Sequence, residues 1–481
     1  MFKPIHSLLV LLIIFIVFAV ISFLPISHSI HTQAFDIKVP TINFSFQKTP
    51  SLQNKKAVAI VQHLVKEYAS SKIVSILKDT ILPVNVPIAF PDCTYSALDA
   101  FFSALGDTQV IHVLHYGDSQ IEGDRITGYL RSHFQSIWGG KGVGFICPIK
   151  VNNIVQGIDV ESQGNWFRYT LFGNTVKQKK RFYGPMLQYI RFTPIKTDST
   201  QNDSTVYEAS LTFKPNKNAA SSNFSFSKVR LLYGNLSKPV LLQLYSGEKF
   251  LCMKSLPSTS TLETATFTVP ANLNSLTLDF IGKDSPDIYG ISFETETGIM
   301  VDNIPLRGSS GTEFTLLQAS ELANIYKQMN VRLLIYEFGV NVIPYIHTHT
   351  DDYEQWLYRQ LRFLKQIKPT MSILVIGVSD MSMHTDSGYV SYPEIMKIRD
   401  QQRKAAFKAG CAFWDMYEAM GGENSMPVWV NSKPPLGAKD YTHFTTVGAK
   451  HMATLLYHAI YNEYVHYRQR KNQYQTTQHH E

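Results

Sequence analysis

The spacing of hydrophobic positions changes twice along the chain. From Ala57, "AVAIVQHLVKEYASSKIVSILKD" places apolar residues at helical intervals, and "YSALDAFFSALG" repeats that period until Gly106 ends it. "QVIHVLHYG" is a continuous apolar run rich in Val and Ile, which predicts a buried strand. "GDRITGYLRSHFQSIWGG" then returns to a helical period closed by Gly139 and Gly140. After about residue 145 the texture alternates: "NWFRYTLFG", "QYIRFTPI", "VYEASLTFKP", "VLLQLYSG", "TATFTVP" and "SLTLDFIG" are short segments separated by Gly, Pro, Asn and Ser, as in a β-sandwich. Near Gly290 strands again take turns with helices. "RLLIYEFGVNVI", "MSILVIGVSD" and "CAFWDMYEAM" read as strands, while "DYEQWLYRQLRFLKQI", "YPEIMKIRDQQRKAAFKAG" and "TVGAKHMATLLYHAIYNEYVHY" read as helices. The pattern predicts an α/β fold with a three-layer parallel sheet, interrupted by a β-sandwich-like insertion.

The N-terminus adds a membrane element. Leu8 to Leu24 form a 17-residue apolar run preceded by Lys3, long enough to span a bilayer as a helix. "PISHSIHTQ" offers no A-x-A cleavage pattern, so the run reads as an uncleaved signal anchor with the remainder of the chain facing the periplasm or cell exterior. The expected organisation is an anchor over 1–25, a linker over 26–55, an α/β domain split into 56–145 and 300–465, an insertion over 146–299, and a polar tail over 466–481.

Composition alters this picture little. With 44% hydrophobic and 17% charged residues the chain is ordinary for a globular protein. Its net charge of +7 sits partly in the C-terminal tail and forms no basic stripe with interleaved aromatics, which excludes a nucleic-acid partner. Cys93, Cys147, Cys252 and Cys411 form no CxxC pair and give no zinc signature; buried free thiols are the simpler reading than disulfides.

Candidate chemistry gathers at the predicted strand ends. A strand, a sharp turn holding Ser119, and a helix would expose a hydroxyl at the carboxyl edge of the sheet, although Ser119 as a helix N-cap fits the same tripeptide. A serine nucleophile needs a base. "KDYTHFTTVGAKH" supplies Asp440 and His443, three apart, where the carboxylate can fix the imidazole tautomer. Gly308 in "PLRGSSG" and Asn341 in "EFGVNVI" add candidate oxyanion donors beside the Ser119 amide.

These four segments, in this order, resemble the SGNH subgroup of the GDSL esterases and lipases: Gly117-Asp118-Ser119, Gly308, Gly339-Val340-Asn341 and Asp440-Tyr441-Thr442-His443. The resemblance covers roughly 95–145 and 300–465. It implies an SGNH-hydrolase (flavodoxin-like) fold, with Ser119 as nucleophile, His443 as base, Asp440 as its orienting partner, and Ser119, Gly308 and Asn341 as the oxyanion hole. Gln120 departs from the leucine usual in that family. The phrase "HYGDSQIEGDRIT" and the insertion resemble envelope members of the Bacteroidetes type and, more distantly, peptidoglycan O-acetylesterases, in which an extra β module is thought to help hold a glycan.

Other residues have simpler readings. His347, His349, Asp351 and Asp352 could suggest a metal site, but a polar loop with a helix cap explains them. Asp380 and Asp415 suit packing or capping. Asp118 and Asp124 suit local hydrogen bonds. Trp166, Tyr169 and Tyr183 could stack sugars, though sandwich-core packing is the default. The resulting expectation is a serine esterase acting on an acetylated glycan, peptidoglycan foremost, with neither cofactor nor metal. An envelope O-acetyltransferase and a non-catalytic glycan-binding protein are the alternatives.

Overall fold

The computed structural model describes residues 29–31, 36–38, 54–70, 81–82, 84–149, 157–171, 182–195, 205–346 and 350–478. The chain divides into two compact units, Met1–Gln53 and Asn54–Glu481. In the first, Ser29–His31 pairs antiparallel with Asp36–Lys38, a short hairpin within the stretch read as a linker. The apolar run 8–24 lies outside the described residues, and among the described residues no helix is long and apolar enough to cross a membrane.

The second unit is built on a five-stranded sheet: β1 (Ile111–Gly117), β2 (Ile299–Pro305), β3 (Val331–Glu337), β4 (Ser372–Ile376) and β5 (Ala412–Trp414). Every pairing is parallel and the order is β2-β1-β3-β4-β5, the flavodoxin-like arrangement, whose switch of direction beside β1 opens a crevice at the carboxyl edge. Alternate residues of each strand feed opposite cores. Ile111, Val113, Leu333, Ile335, Leu374 and Ile376 pack against helices α1 (Lys55–Ser70), α2 (Asp99–Ala104), α3 (Thr127–Trp138) and α9 (Thr446–Gln478). Leu114, Tyr116, Leu334, Tyr336, Ile373 and Val375 face α4 (Ala319–Gln328), α5 (Thr350–Ile367), α6 (Ile395–Lys408) and the insertion. Two short helices, α7 (Met416–Met420) and α8 (Ser425–Asn431), follow β5.

The insertion holds two antiparallel sheets. One orders Lys249–Leu256, Val240–Ser246, Leu276–Gly282, Tyr207–Pro215 and Ile158–Gln163; the other orders Glu263–Thr268, Lys228–Gly234, Asp287–Glu294, Gln188–Arg191 and Phe167–Thr170. Phe213 and Phe293 meet across them with ring centroids 4.7 Å apart. The insertion shares one apolar core with a face of the parallel sheet. Gly144–Ile146, read as the end of the first α/β part, pairs with Asp287–Glu294 and carries the chain into it.

A buried charge cluster also ties the two parts together. On β1, His112 reaches Asp302 of β2 at 2.7 Å through Nδ1 and Glu294 of the insertion at 3.1 Å through Nε2. Ser292 donates to the same Glu294 carboxylate at 2.7 Å, and Arg230 stands 3.5 Å from it. Burial opposes the charge on His112, but Asp302 and Glu294 outweigh it and push its pKa up to about 9. Burial likewise opposes charge on Glu294, yet His112 and Arg230 hold it down to about 2.

Of the element ends that differ from the sequence reading, two have an identifiable partner. "CAFWDMYEAM" is strand only through Trp414, because Asp415 Oδ1 accepts from the Glu418 amide at 3.0 Å and starts α7. The closing helix runs to Gln478 instead of giving way near Tyr467, and Arg470 anchors it to Asp99 at 2.7 Å.

Candidate active site

Three neighbouring strands end at one level. Gly117, the last residue of β1, is in register with Pro305 of β2 and Glu337 of β3. A Cβ on Gly117 would lie 2.8 Å from the Glu337 carbonyl oxygen, so only glycine permits this close approach. Beyond it the Asp118 amide donates to the Glu337 carbonyl at 3.3 Å, and the Leu306 amide donates to the Gly117 carbonyl at 2.7 Å. The residues following β1, β2 and β3 are thereby drawn together.

Ser119 is buried in the turn after β1, and its hydroxyl lies 2.7 Å from His443 Nε2. His443 Nδ1 lies 2.7 Å from Asp440 Oδ2. The other carboxylate oxygen accepts the His443 and Thr442 amides, each at 3.0 Å. Burial raises the Asp440 pKa, but those hydrogen bonds outweigh it and hold the carboxyl below its ordinary value. An ionised carboxylate only accepts, so in the neutral imidazole Nδ1 carries the hydrogen and Nε2 is left to accept from Ser119. Ser119 is therefore not the N-cap of α3, whose first residue is Thr127.

Gly308 lies three residues beyond β2 with φ of +79°, and a Cβ there would meet nothing within 4 Å. Its glycine answers to the left-handed backbone, not to crowding. Asn341 Nδ2 donates to the Ser309 carbonyl at 3.1 Å, which joins the Gly308 turn to the Asn341 turn and leaves the second amide hydrogen of Asn341 for another acceptor. Asp118 accepts the Gln120 amide at 2.9 Å. Burial, reinforced by the charge of Glu337, pushes Asp118 up to about 7 against hydrogen bonds from the Gln120, Gly339 and Val340 amides.

Several residues hold these turns together in a way that no sequence signal showed. Gln120, where the resembled esterases carry leucine, donates to the Thr442 carbonyl at 2.7 Å and to Ser379 Oγ at 3.1 Å, tethering the loop of His443 to the turn of Ser119. Arg125 donates to the carbonyls of Ser119 at 2.5 Å, Glu122 at 2.8 Å and Phe444 at 3.2 Å. A hairpin, Ser382–Thr385 with Gly388–Ser391, donates its Ser382 amide to the Tyr441 carbonyl at 2.9 Å and stacks Tyr389 on Tyr441 with centroids 3.5 Å apart. Tyr441 has a φ of +55°, so that stack supports a strained loop.

The remaining candidates serve packing. Asp380 accepts from Ser391 Oγ at 2.5 Å and from the Met426 amide at 2.7 Å, at the start of α8. Asp124 holds Arg131 through both oxygens, at 2.6 and 2.9 Å. Trp166 packs edge-on against Phe192 and Phe280, while Tyr169 and Tyr183 lie against Tyr189. His347 and His349 lie outside the described residues; among the described ones no three His, Cys, Asp or Glu side chains gather as a metal site. Cys93, Cys147, Cys252 and Cys411 form no disulfide with one another; Cys147 and Cys411 are buried as read from the sequence, whereas Cys93 is exposed and Cys252 half-buried.

No protein-family model matches the chain, and no curated protein matches it. A solved structure of a peptidoglycan O-acetylesterase aligns over 78% of this chain and 99% of its own, with a TM-score of 0.61 at 21% identity. The two share a fold. An acetyl xylan esterase aligns over 34% of this chain and 82% of its own, at 14% identity and a TM-score of 0.26. A family two carbohydrate esterase from Clostridium thermocellum aligns over 53% and 92%, at 9% identity and a TM-score of 0.23. Both scores are too low to bear on the fold of this chain.

Proposed function

We propose that the protein is a membrane-anchored serine esterase of the SGNH type, facing the periplasm or cell exterior, that removes O-acetyl groups from a cell-envelope glycan, peptidoglycan being the proposed substrate. The observation that carries this reading is the hydrogen-bonded chain Ser119–His443–Asp440, with both links at 2.7 Å, at the carboxyl edge of the parallel sheet. The shared fold with a peptidoglycan O-acetylesterase supports the substrate, and the apolar run 8–24 supports the location.

In this mechanism His443 Nε2 takes the Ser119 proton as Oγ bonds to the ester carbonyl carbon. Asp440 stabilises the imidazolium without itself taking the proton. The Ser119 and Gly308 amides and the Asn341 side chain receive the oxyanion, each such donor being worth roughly 10²–10³ in rate. Collapse breaks the ester C–O bond, and the departing sugar oxygen takes the proton from His443. Water, deprotonated by the same imidazole, then attacks the acetyl-serine and releases acetate.

Rapid-quench mass spectrometry after mixing with O-acetylated peptidoglycan tests this route. One acetyl group on Ser119, with free acetate as the product, is expected. Transfer of the acetyl group to an added sugar acceptor would instead indicate an acetyltransferase using the same residues.

A further inference from the structure

A cavity of about 220 Å³ lies between the catalytic edge and the insertion. Its polar lining includes Glu122, Asp124, Arg131, Arg168, Gln188 and Arg307. It adjoins the nucleophile turn: the Glu122 amide donates to the Ser119 carbonyl at 3.3 Å, and Arg307 immediately precedes Gly308. Its volume is below the roughly 300–1,000 Å³ that a drug-sized ligand fills, and suits one sugar unit or substituent.

The charges on this lining do not balance. Asp124 is taken by Arg131, and Glu122 stands 3.4 Å from Arg307. Arg168 is the third guanidinium against two carboxylates. Its Nε donates to Gln188 Oε1 at 2.5 Å, and among the described residues no carboxylate lies within ion-pair distance of it. Burial lowers the Arg168 pKa, the sign of a partly desolvated charge. Cys147, also on the lining, does not compensate, because burial raises its thiol pKa and keeps it neutral. A partly desolvated guanidinium with no counter-charge is costly, and its planar fork matches a carboxylate.

Resting on the esterase reading, we propose that this cavity recognises a carboxylate on the glycan, so that the substrate is an acidic acetylated glycan whose charged group docks on Arg168. The sugar beside it would then present its ester to Ser119. The shared chemistry is a carboxylate, and the test separates one carried on a sugar from free acetate, the reaction product.

Isothermal titration calorimetry of the purified chain with trigalacturonate, the neutral galactotriose and free acetate tests the proposal without turnover. Trigalacturonate is expected to bind at least tenfold more tightly than galactotriose, with acetate no competitor at equal concentration; Arg168→Gln abolishes the difference. Equal affinity for the two oligosaccharides, no measurable binding of trigalacturonate, tighter binding of free acetate, or an undiminished preference in Arg168→Gln would overturn it. If Arg168→Gln does not fold, Arg168→Lys decides: it keeps the charge, loses the fork, and should lower the preference at least threefold, an unchanged preference counting against the proposal. Failure of acetate release would strike the esterase reading and leave the binding result standing.

Discussion

Replacing His112 by glutamine removes the one positive charge that lies between two buried carboxylates. Asp302 then keeps the Phe145 amide as its donor at 2.7 Å, and Glu294 keeps Ser292 and the more distant Arg230. Two routes give the magnitude. A rise in the His112 pKa from 6.5 to about 9, at 1.36 kcal/mol per pH unit, corresponds to about 3 kcal/mol. Breaking a buried pair by deleting one partner costs about 3–5 kcal/mol. The sign fixes the pH window. Because the folded pKa lies above the unfolded one, this stabilisation is fully present below pH 6.5 and is lost as pH rises through 9. The stability advantage of the wild type over His112→Gln should thus shrink by about 1.4 kcal/mol per pH unit across that window. Asp118, raised from 3.8 to about 7, acts over a lower window and is common to both proteins, so it cancels in the difference. Urea unfolding followed by circular dichroism between pH 6.5 and 9 measures both quantities. A loss below about 1 kcal/mol at pH 6.5, or parallel pH dependence of the two proteins, would refute the charge assignment.

Three further outcomes concern catalysis, each measured with p-nitrophenyl acetate. Asp440→Asn should lower kcat by roughly 10³–10⁴ with little change in KM, because the imidazole loses its enforced tautomer. Asn341→Ala should lower kcat by roughly 10²–10³ if its free amide hydrogen serves the oxyanion; a loss below threefold would remove it from that role. Gln120→Leu, which introduces the residue usual among the resembled esterases, breaks the links to Thr442 and Ser379 and should cost about 1–2 kcal/mol of positioning, roughly tenfold in kcat/KM.

Short-range patterns carried most of the legible information. The continuous Val- and Ile-rich runs marked β1, β3 and β4 because strands covered on both faces need no polar alternation. The alternating texture after residue 145 marked antiparallel strands with one exposed face. Ser119, Asp440 and His443 could be singled out because each sits in a short block next to a strand or helix end. What joins those blocks was not legible. Gln120 and Thr442 are 322 residues apart, and His112 and Glu294 are 182 apart, so no local spacing links them. Arg125 carries no sequence signal because its three acceptors are backbone carbonyls, which have no side-chain signature. Asp415 ended a strand early because a cap competed with β propensity within an apolar run. The helix α9 outran its apolar pattern because Arg470 finds Asp99 on a distant helix. The aromatic residues of the insertion were legible as types, and only packing placed Trp166 against Phe192 and Phe280.

The proposed function depends above all on Ser119 being an acyl-accepting nucleophile driven by His443. Acetate release from O-acetylated peptidoglycan, measured side by side for the parent protein and a folded Ser119→Ala variant, tests it most directly. Steady release by the parent and at least a thousandfold slower release by the variant are expected. Equal rates from the two proteins, or no release from a folded parent, would contradict it.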